Sequence, residues 1–487
     1  MNKEKLLLWT LAAINFIHIV DFMILMPLGP QLMRIFDISP REFGLLVSCY
    51  TFSAGISSFF GAFVLDRFDR KKILVWVYIG FAISTLGCAL SPSYPVLLAA
   101  RVISGIFGGL TSALILAIIG DVIPDSRRGR AMGLVMAAFS VASVLGVPLG
   151  LFLASLSDWH TPFFLLTGLS VLSLGMIIKY IPNITEHLKN EIVRPNPLLV
   201  IRRVTSDSNQ MRAITLSVMM MFGQFMIIPF LSPYTVANVG FTELQLTYIY
   251  MAGGAFTIFT SPWVGKLSDK YGKQKIFIIF MLLNLIPIAI ITHLGVTPIP
   301  FVLMVSTMFF VTSNGRYVPA AAIVTGTAKP ENRGSFLSFN SAVQQLATGV
   351  ATLLAGIIIG ENAAGELTNY NVVGYIAIAF SLLCIPLALR IKVVELIFLF
   401  CRFSVNLFKP LLIMSVTDLK EILQKKVESI SDEGVLEVLI DVVSHLDDDS
   451  SAFQLTQEQR EQLFKSYDES FDESNLENWF DLKKSFL

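Results

Sequence analysis

The chain has 487 residues, 54% of them hydrophobic and 15% charged, with a formal net charge of zero and a mean hydropathy of +0.68. That balance excludes a soluble globular domain of this size and points to membrane-spanning helices. The zero net charge hides two opposed parts: residues 418–487 hold eighteen acidic and seven basic side chains, so the remainder is basic.

In chain order, the first apolar run covers 7–32. It is too long for a signal-peptide core, contains Asp21 and lacks a small-residue cleavage site, so it reads as a retained first span. Further segments of bilayer-crossing length fall at 43–65, 73–91, 96–120, 131–155, 162–181, 213–236, 245–265, 275–294, 299–325, 335–360 and 371–390. The long polar interruption at 182–212 separates a half at 1–181 from a half at 213–390. The expected fold is therefore an all-α membrane protein of twelve transmembrane helices in two pseudo-symmetric six-helix halves, followed by a small cytoplasmic helical tail.

Basic residues in the short loops set the orientation. Lys3 and Lys5, Arg67 to Lys72, Arg127 to Arg130, Lys189 to Arg203, Lys266 to Lys275, and Lys329 with Arg333 all fall on one side. The other side has Arg34 and Arg41, beside Asp37 and Glu42. Both termini are expected in the cytoplasm of a bacterial inner membrane. The four cysteines, Cys49, Cys88, Cys384 and Cys401, are scattered through apolar runs and read as packing residues, without metal or redox spacing.

The loop after the second span holds Asp66, Arg67, Asp69, Arg70 and Lys71. The loop after the eighth holds Gly265, Lys266, Asp269, Lys270, Gly272 and Lys273. Asp66 and Asp269 are 203 residues apart. At the same offset Pro30 falls on Pro233, Ser58 on Ser261, and Phe22-Met23 on Phe225-Met226, whereas Asp21 falls on Gln224. The membrane part is a duplicated unit whose symmetry is broken at a carboxylate, as in many secondary transporters.

These features resemble the major facilitator superfamily over residues 1 to about 390. The second loop fits the family pattern G-x-x-x-D-[RK]-x-G-[RK] at Gly265, Asp269, Lys270, Gly272 and Lys273. The first departs from it: Ala62 takes the leading glycine position and Asp69 the inner one, so its turn is expected to be built differently. Arg101, Gly105 and Gly109 in the fourth span resemble the family's arginine-glycine motif. Gly133, Gly146, Pro148 and Gly150 in the fifth resemble the antiporter motif of the drug:proton antiporter and sugar-efflux branch, with Val147 a departure from its fuller form. The resemblance implies alternating access, with Asp66, Arg67, Arg70, Lys71 and Asp121 at a cytoplasmic gate that locks the halves together. It implies a weaker counterpart at Asp269, since the tenth span has no carboxylate to match Asp121.

A carboxylate inside a span is costly unless paired, hydrated or protonated. Asp21 and Arg101 lie at similar depths, and the resemblance makes their helices neighbours at the central cavity. The pair is then either a proton-coupling site, its carboxyl pulled between desolvation and the guanidinium, or a static ion pair. His18 shares a helix face with Asp21 and reads as a proton relay or a packing residue. Arg316 is the other deep charge. It reads as a cavity cation facing an anionic or hydroxylated substrate, with Gln224, Asn314, Ser341, Gln344 and Gln345 around it, or as an arginine bonded to backbone carbonyls. The glycines and Pro148 read as close-packing and bending positions. The stripe of Met219, Met220, Met221 and Met226 reads as a forgiving apolar pocket wall or a lipid face.

Beyond the last span, residues 391–414 place Lys392, Glu395, Arg402, Asn406 and Lys409 within a narrow arc of a helical wheel, the pattern of an amphipathic helix in the membrane interface. Residues 415–487 form an acidic helical tail that loosely resembles short bacterial antitoxin-like proteins. A docking module for a cytoplasmic protein partner and a plain solvated tail are both open readings. No nucleophile-base pair, metal cluster, phosphate loop or nucleic-acid patch is evident, so no enzyme activity and no cofactor are expected. The leading expectation is a monomeric, proton-gradient-driven exporter of small amphipathic compounds or sugars. A nutrient importer or uniporter, and a membrane sensor signalling through its tail, are the alternatives.

Overall fold

The computed structural model describes residues 3–65, 67–185, 197–328 and 333–392. Asp66, Lys189, Arg194, Lys329, the part of the expected interfacial helix beyond Lys392 and the acidic tail at 415–487 lie outside them. The first half contains α1 (Lys3–Ile24), α2 (Gly29–Phe36), α3 (Pro40–Leu65), α4 (Arg70–Ala89), α5 (Tyr94–Val122), α6 (Asp125–Val141), α7 (Val147–Leu156) and α8 (Thr161–Tyr180). The second contains α9 (Pro197–Ser206), α10 (Ser208–Phe225), α11 (Ile228–Ala237), α12 (Glu243–Tyr271), α13 (Lys273–Ile291), α14 (Ile299–Thr325), α15 (Arg333–Ile358) and α16 (Tyr370–Arg390). A small hairpin, β1 (Gly360–Glu361) and β2 (Leu367–Thr368), joins α15 to α16.

Ten crossings among the described residues have the length and apolarity to span a bilayer. The remaining two are α12 and α14, with 29 and 27 residues. These two carry a charged end and a mid-helix Asn314 and Arg316 respectively, which lower their hydropathy. Trp76 and Phe259 are 70% and 77% exposed, as bilayer-facing residues are once lipid replaces water.

Three expected spans are not single helices. The run at 7–32 breaks between Ile24 and Gly29, and Pro30 then enters the first turn of α2, where its missing N–H costs nothing. The run at 213–236 starts five residues early, at Ser208 behind the Asp207 cap, and breaks before α11 with Pro229 in the first turn. The fifth span contains a π-helical turn, Ala142–Gly146, immediately before α7 and Pro148. Proline removes one backbone donor and crowds the preceding turn, and a wider turn relieves the crowding. The linker at 182–212 also holds a helix of its own, α9.

Within the first half, α5 packs on α3 and α4, and α8 on α4 and α1. In the second, α14 packs on α12 and α13, and α16 on α10 and α13. The halves meet along two seams, α3 against α15 and the π turn with α7 against α12. One end of the bundle carries the basic loops and is called the basic face below. At the opposite face, α2 also meets α11.

A candidate ion-pair site and its surroundings

Asp21 and Arg101 meet inside the first half. Arg101 Nη1 donates to Asp21 Oδ2 at 2.9 Å and to the Asp21 backbone oxygen at 3.2 Å. That backbone oxygen is available because α1 ends one turn later, at Ile24. Both residues are 0% exposed. The Tyr50 ring of α3 lies under the guanidinium, 4.3 Å from its carbon, and stacks on Phe22.

The pair does not line an open cavity, as the sequence reading expected. It is enclosed by α1, α3, α4 and α5. Phe22, one residue on from Asp21, reaches the other half at Phe225. His18 is buried against Tyr50 and Phe81, and neither of its ring nitrogens has a partner among the described residues. It makes no hydrogen bond to Asp21, so a direct relay is not in the geometry. Asp21 Oδ1, Arg101 Nε, Tyr50 Oη, Tyr78 Oη and Thr85 Oγ1 are likewise buried without partners among the described residues. Gly108, which sequence reasoning missed, makes room for this cluster: a Cβ there would lie 2.5 Å from Tyr50 Oη and 2.9 Å from His18 Nε2.

Arg316 also faces away from the space between the halves. It is 0% exposed, and its Nη1 donates to Ser381 Oγ at 3.2 Å on α16 and to Met281 Sδ at 3.4 Å on α13. It bonds no backbone carbonyl among the described residues. Ser341 is exposed and Gln344 and Gln345 are half-buried on α15, and Gln345 packs on Gly55 of α3 across the seam. Gln224 and Asn314 are half-buried. Of these, Gln345 sits at the seam, whereas Arg316 bonds to α13 and α16. Met220, Met221 and Met226 belong to buried core instead of a pocket wall.

At the basic face, Arg70 Nε donates to Asp121 Oδ2 at 2.8 Å, tying α4 to α5. Lys71 Nζ donates to Ile178 O at the end of α8. Asp69 caps α4 by accepting from the Lys71 N–H, and its own backbone is at φ −56. These bonds all stay within the first half. The expected gate between the halves also needs Asp66, which lies outside the described residues. Arg67 is exposed. In the second half Gly265, Asp269 and Lys270 lie on the last turns of α12 and not in a loop, and only Gly272, at φ 98, makes the turn into α13 and Lys273. The Asp69 cap and the Gly272 turn are thus two constructions of one corner. Gln274, the counterpart of Lys71 at the 203-residue offset, donates to Ala388 O and Ile391 O at the end of α16.

The helix-packing glycines divide. A Cβ on Gly105 would lie 2.0 Å from Ser53 Oγ, and one on Gly109 would lie 2.3 Å from Ala54 O, so both are required where α5 crosses α3. Gly146 and Gly150 do the same for α1, against Val20 and Ile24. Gly133 has open space and no packing role. At the opposite face Gln31 donates to Glu243 and Arg34 pairs with Glu243 at 2.8 Å, joining α2 to the start of α12. A Thr242–Gln245 capping box opens α12, and nothing in the sequence marked the partner of Glu243.

The sequence pattern of the Major Facilitator Superfamily matches residues 11–315 and again 213–396. The chain is 26% identical over 372 residues to the uncharacterized MFS-type transporter YceJ of Bacillus subtilis, covering 76% of this chain and 93% of that one. It is 23% identical over 291 residues to the quinolone resistance protein NorA of Staphylococcus aureus, covering 60% and 74%. Among solved structures, a D-xylose-proton symporter shares the fold, with a TM-score of 0.62 at 18% identity over 79% of this chain and 97% of that one. The duplicated twelve-helix bundle and its matched residues establish the chain as a multi-pass membrane transporter of the Major Facilitator Superfamily.

Proposed function

We propose that the protein is a proton-coupled exporter of small amphipathic compounds in a bacterial inner membrane, with its basic face in the cytoplasm. The observation that carries this reading is Asp21. It is the carboxylate set deep in a span among the described residues, held by one nitrogen of Arg101 with its second oxygen unpartnered. A carboxyl in that position can exchange a proton when the surrounding helices shift. The relation to NorA supports efflux as the direction. In this orientation the Glu243 seal lies on the outer side, which suits a transporter that loads its cargo from within.

The test is transport in proteoliposomes under an imposed pH gradient, screened over a panel of amphipathic drugs and sugars, with Asp21→Asn alongside. Gradient-driven accumulation is expected in the wild type. In Asp21→Asn it should be lost while cargo exchange without a gradient persists. Full gradient-driven flux in that variant would sink the assignment.

A further inference from the structure

We propose that Phe225, Phe22 and Tyr50 are positioning residues that carry the movement of the second half to the Asp21–Arg101 pair. The inference rests on the reading of Asp21 as the coupling carboxylate and deepens it, by supplying a route from motion between the halves to the site of proton exchange. The three rings form an unbroken chain. Phe225 of α10 meets Phe22 of α1 across the halves, with ring centroids 6.2 Å apart at 42°. Phe22 stacks on Tyr50 of α3 at 5.5 Å and 25°. The Tyr50 ring then lies 4.3 Å from the guanidinium carbon of Arg101, and Arg101 holds Asp21. Each step falls within the range over which aromatic pairs and cation–π contacts act.

The chain has a yielding end and a fixed end. Phe22 and Phe225 are half-buried, whereas Tyr50, Asp21 and Arg101 are buried. α1 stops at Ile24 and α10 at Phe225 itself, so both outer rings lie at helix ends, where the last turn can give. Tyr50 has no such freedom. A Cβ on Gly105 would lie 2.4 Å from the Tyr50 backbone oxygen, and one on Gly108 2.5 Å from Tyr50 Oη, so the residue lies flush against α5. A shift of Phe22 therefore bears on the Tyr50 ring, and through it on the guanidinium. Tyr50 Oη has no partner among the described residues, which leaves the ring as the working part. Phe22 and Phe225 also occupy equivalent positions of the repeat, 203 residues apart. Equivalent rings in contact straddle the axis that relates the halves, so rocking of one half on the other acts on this contact directly. Next to them stand Asp21 in one half and Gln224 in the other. The linkage ends on a charged pair in the first half alone.

The experiment is labelling of Asp21 by dicyclohexylcarbodiimide, an apolar reagent that attacks protonated carboxyl groups, in the full chain in detergent. Mass spectrometry of the Asp21 peptide gives the rate, with Asp21→Asn as the blank. In the wild type the enclosed pair should react slowly. Phe225→Ala, in the other half from the pair, should raise the rate about three- to tenfold, as loss of one aromatic contact would. Tyr50→Leu should raise it by a similar factor, and Tyr50→Phe, which keeps the ring, should leave it at the wild-type value. Phe230→Ala is the control. It removes another ring contact between the halves, the one with Phe43, and should leave the rate unchanged. An unchanged rate in Phe225→Ala, an equal rise in Phe230→Ala, or a rise in Tyr50→Phe would overturn the proposal. The coupling assignment fails on a different result, full gradient-driven flux in Asp21→Asn, whereas the labelling rate reads the linkage alone.

Discussion

Two residues at one corner of the repeat show how differently the halves solve the same problem. Gly272 takes φ 98, a conformation in which a Cβ is strained. Asp69 reaches its corner at φ −56 and supplies a helix cap. Gly272→Ala should therefore destabilise the protein by about 1 kcal/mol. Asp69→Ala should cost about 1 kcal/mol by losing the cap. Thermal unfolding in detergent reads both. The buried pair carries a larger expectation. Arg101→Gln leaves the Asp21 charge enclosed and should cost about 3–5 kcal/mol. Adding Asp21→Asn should recover most of that loss, a reversal that a merely additive pair would not give. Asp21 and Arg101 were legible as partners because each is a rare charge at a countable depth in its span. The direction of Arg316 was not, because the apolar and polar residues of α14 are mixed around the helix and give hydropathy no preferred face to assign.

The helices themselves were largely readable from apolar length, and their interruptions were not. Runs of hydrophobic residues report how much chain is in the membrane. They do not report that Pro30 and Pro229 sit in the first turns of new helices, or that a π turn precedes Pro148. The signal that could have found these breaks was proline position, taken as the first turn of a following helix and not as a flaw within one. Helix crossings make a sharper test. Gly105→Ala puts a Cβ against Ser53 and the Tyr50 backbone and should destabilise by about 1–3 kcal/mol. Gly133→Ala enters open space and should stabilise by about 0.4–1 kcal/mol, by restricting the unfolded chain. Parallel melting curves distinguish the two, although both glycines belong to recognisable family motifs.

For the molecule as a whole, the motion between halves should be governed at the opposite face. Glu243 binds Gln31 and Arg34 across the gap, but Arg34 is largely exposed. Glu243→Gln should therefore raise the population open on that face by up to about fivefold, the equivalent of about 1 kcal/mol. The rate at which an impermeant thiol reagent labels a cysteine placed at Ser232 measures it, and an unchanged rate would mean the seal lies elsewhere. Twofold duplication was legible from the 203-residue offset, and the six-plus-six division from the polar interruption at 182–212. The contacts between halves were not, because they join residues with no shared pattern. Just inside the Glu243 latch, α3 and α15 touch with almost no side chain between them: a Cβ on Gly44 would sit 3.2 Å from the Gly356 backbone. A joint of that kind works as a bare pivot. It carries no charge to titrate and no long side chain to reshuffle, so its rocking should be indifferent to pH and salt. A single methyl group set into it would act as a doorstop.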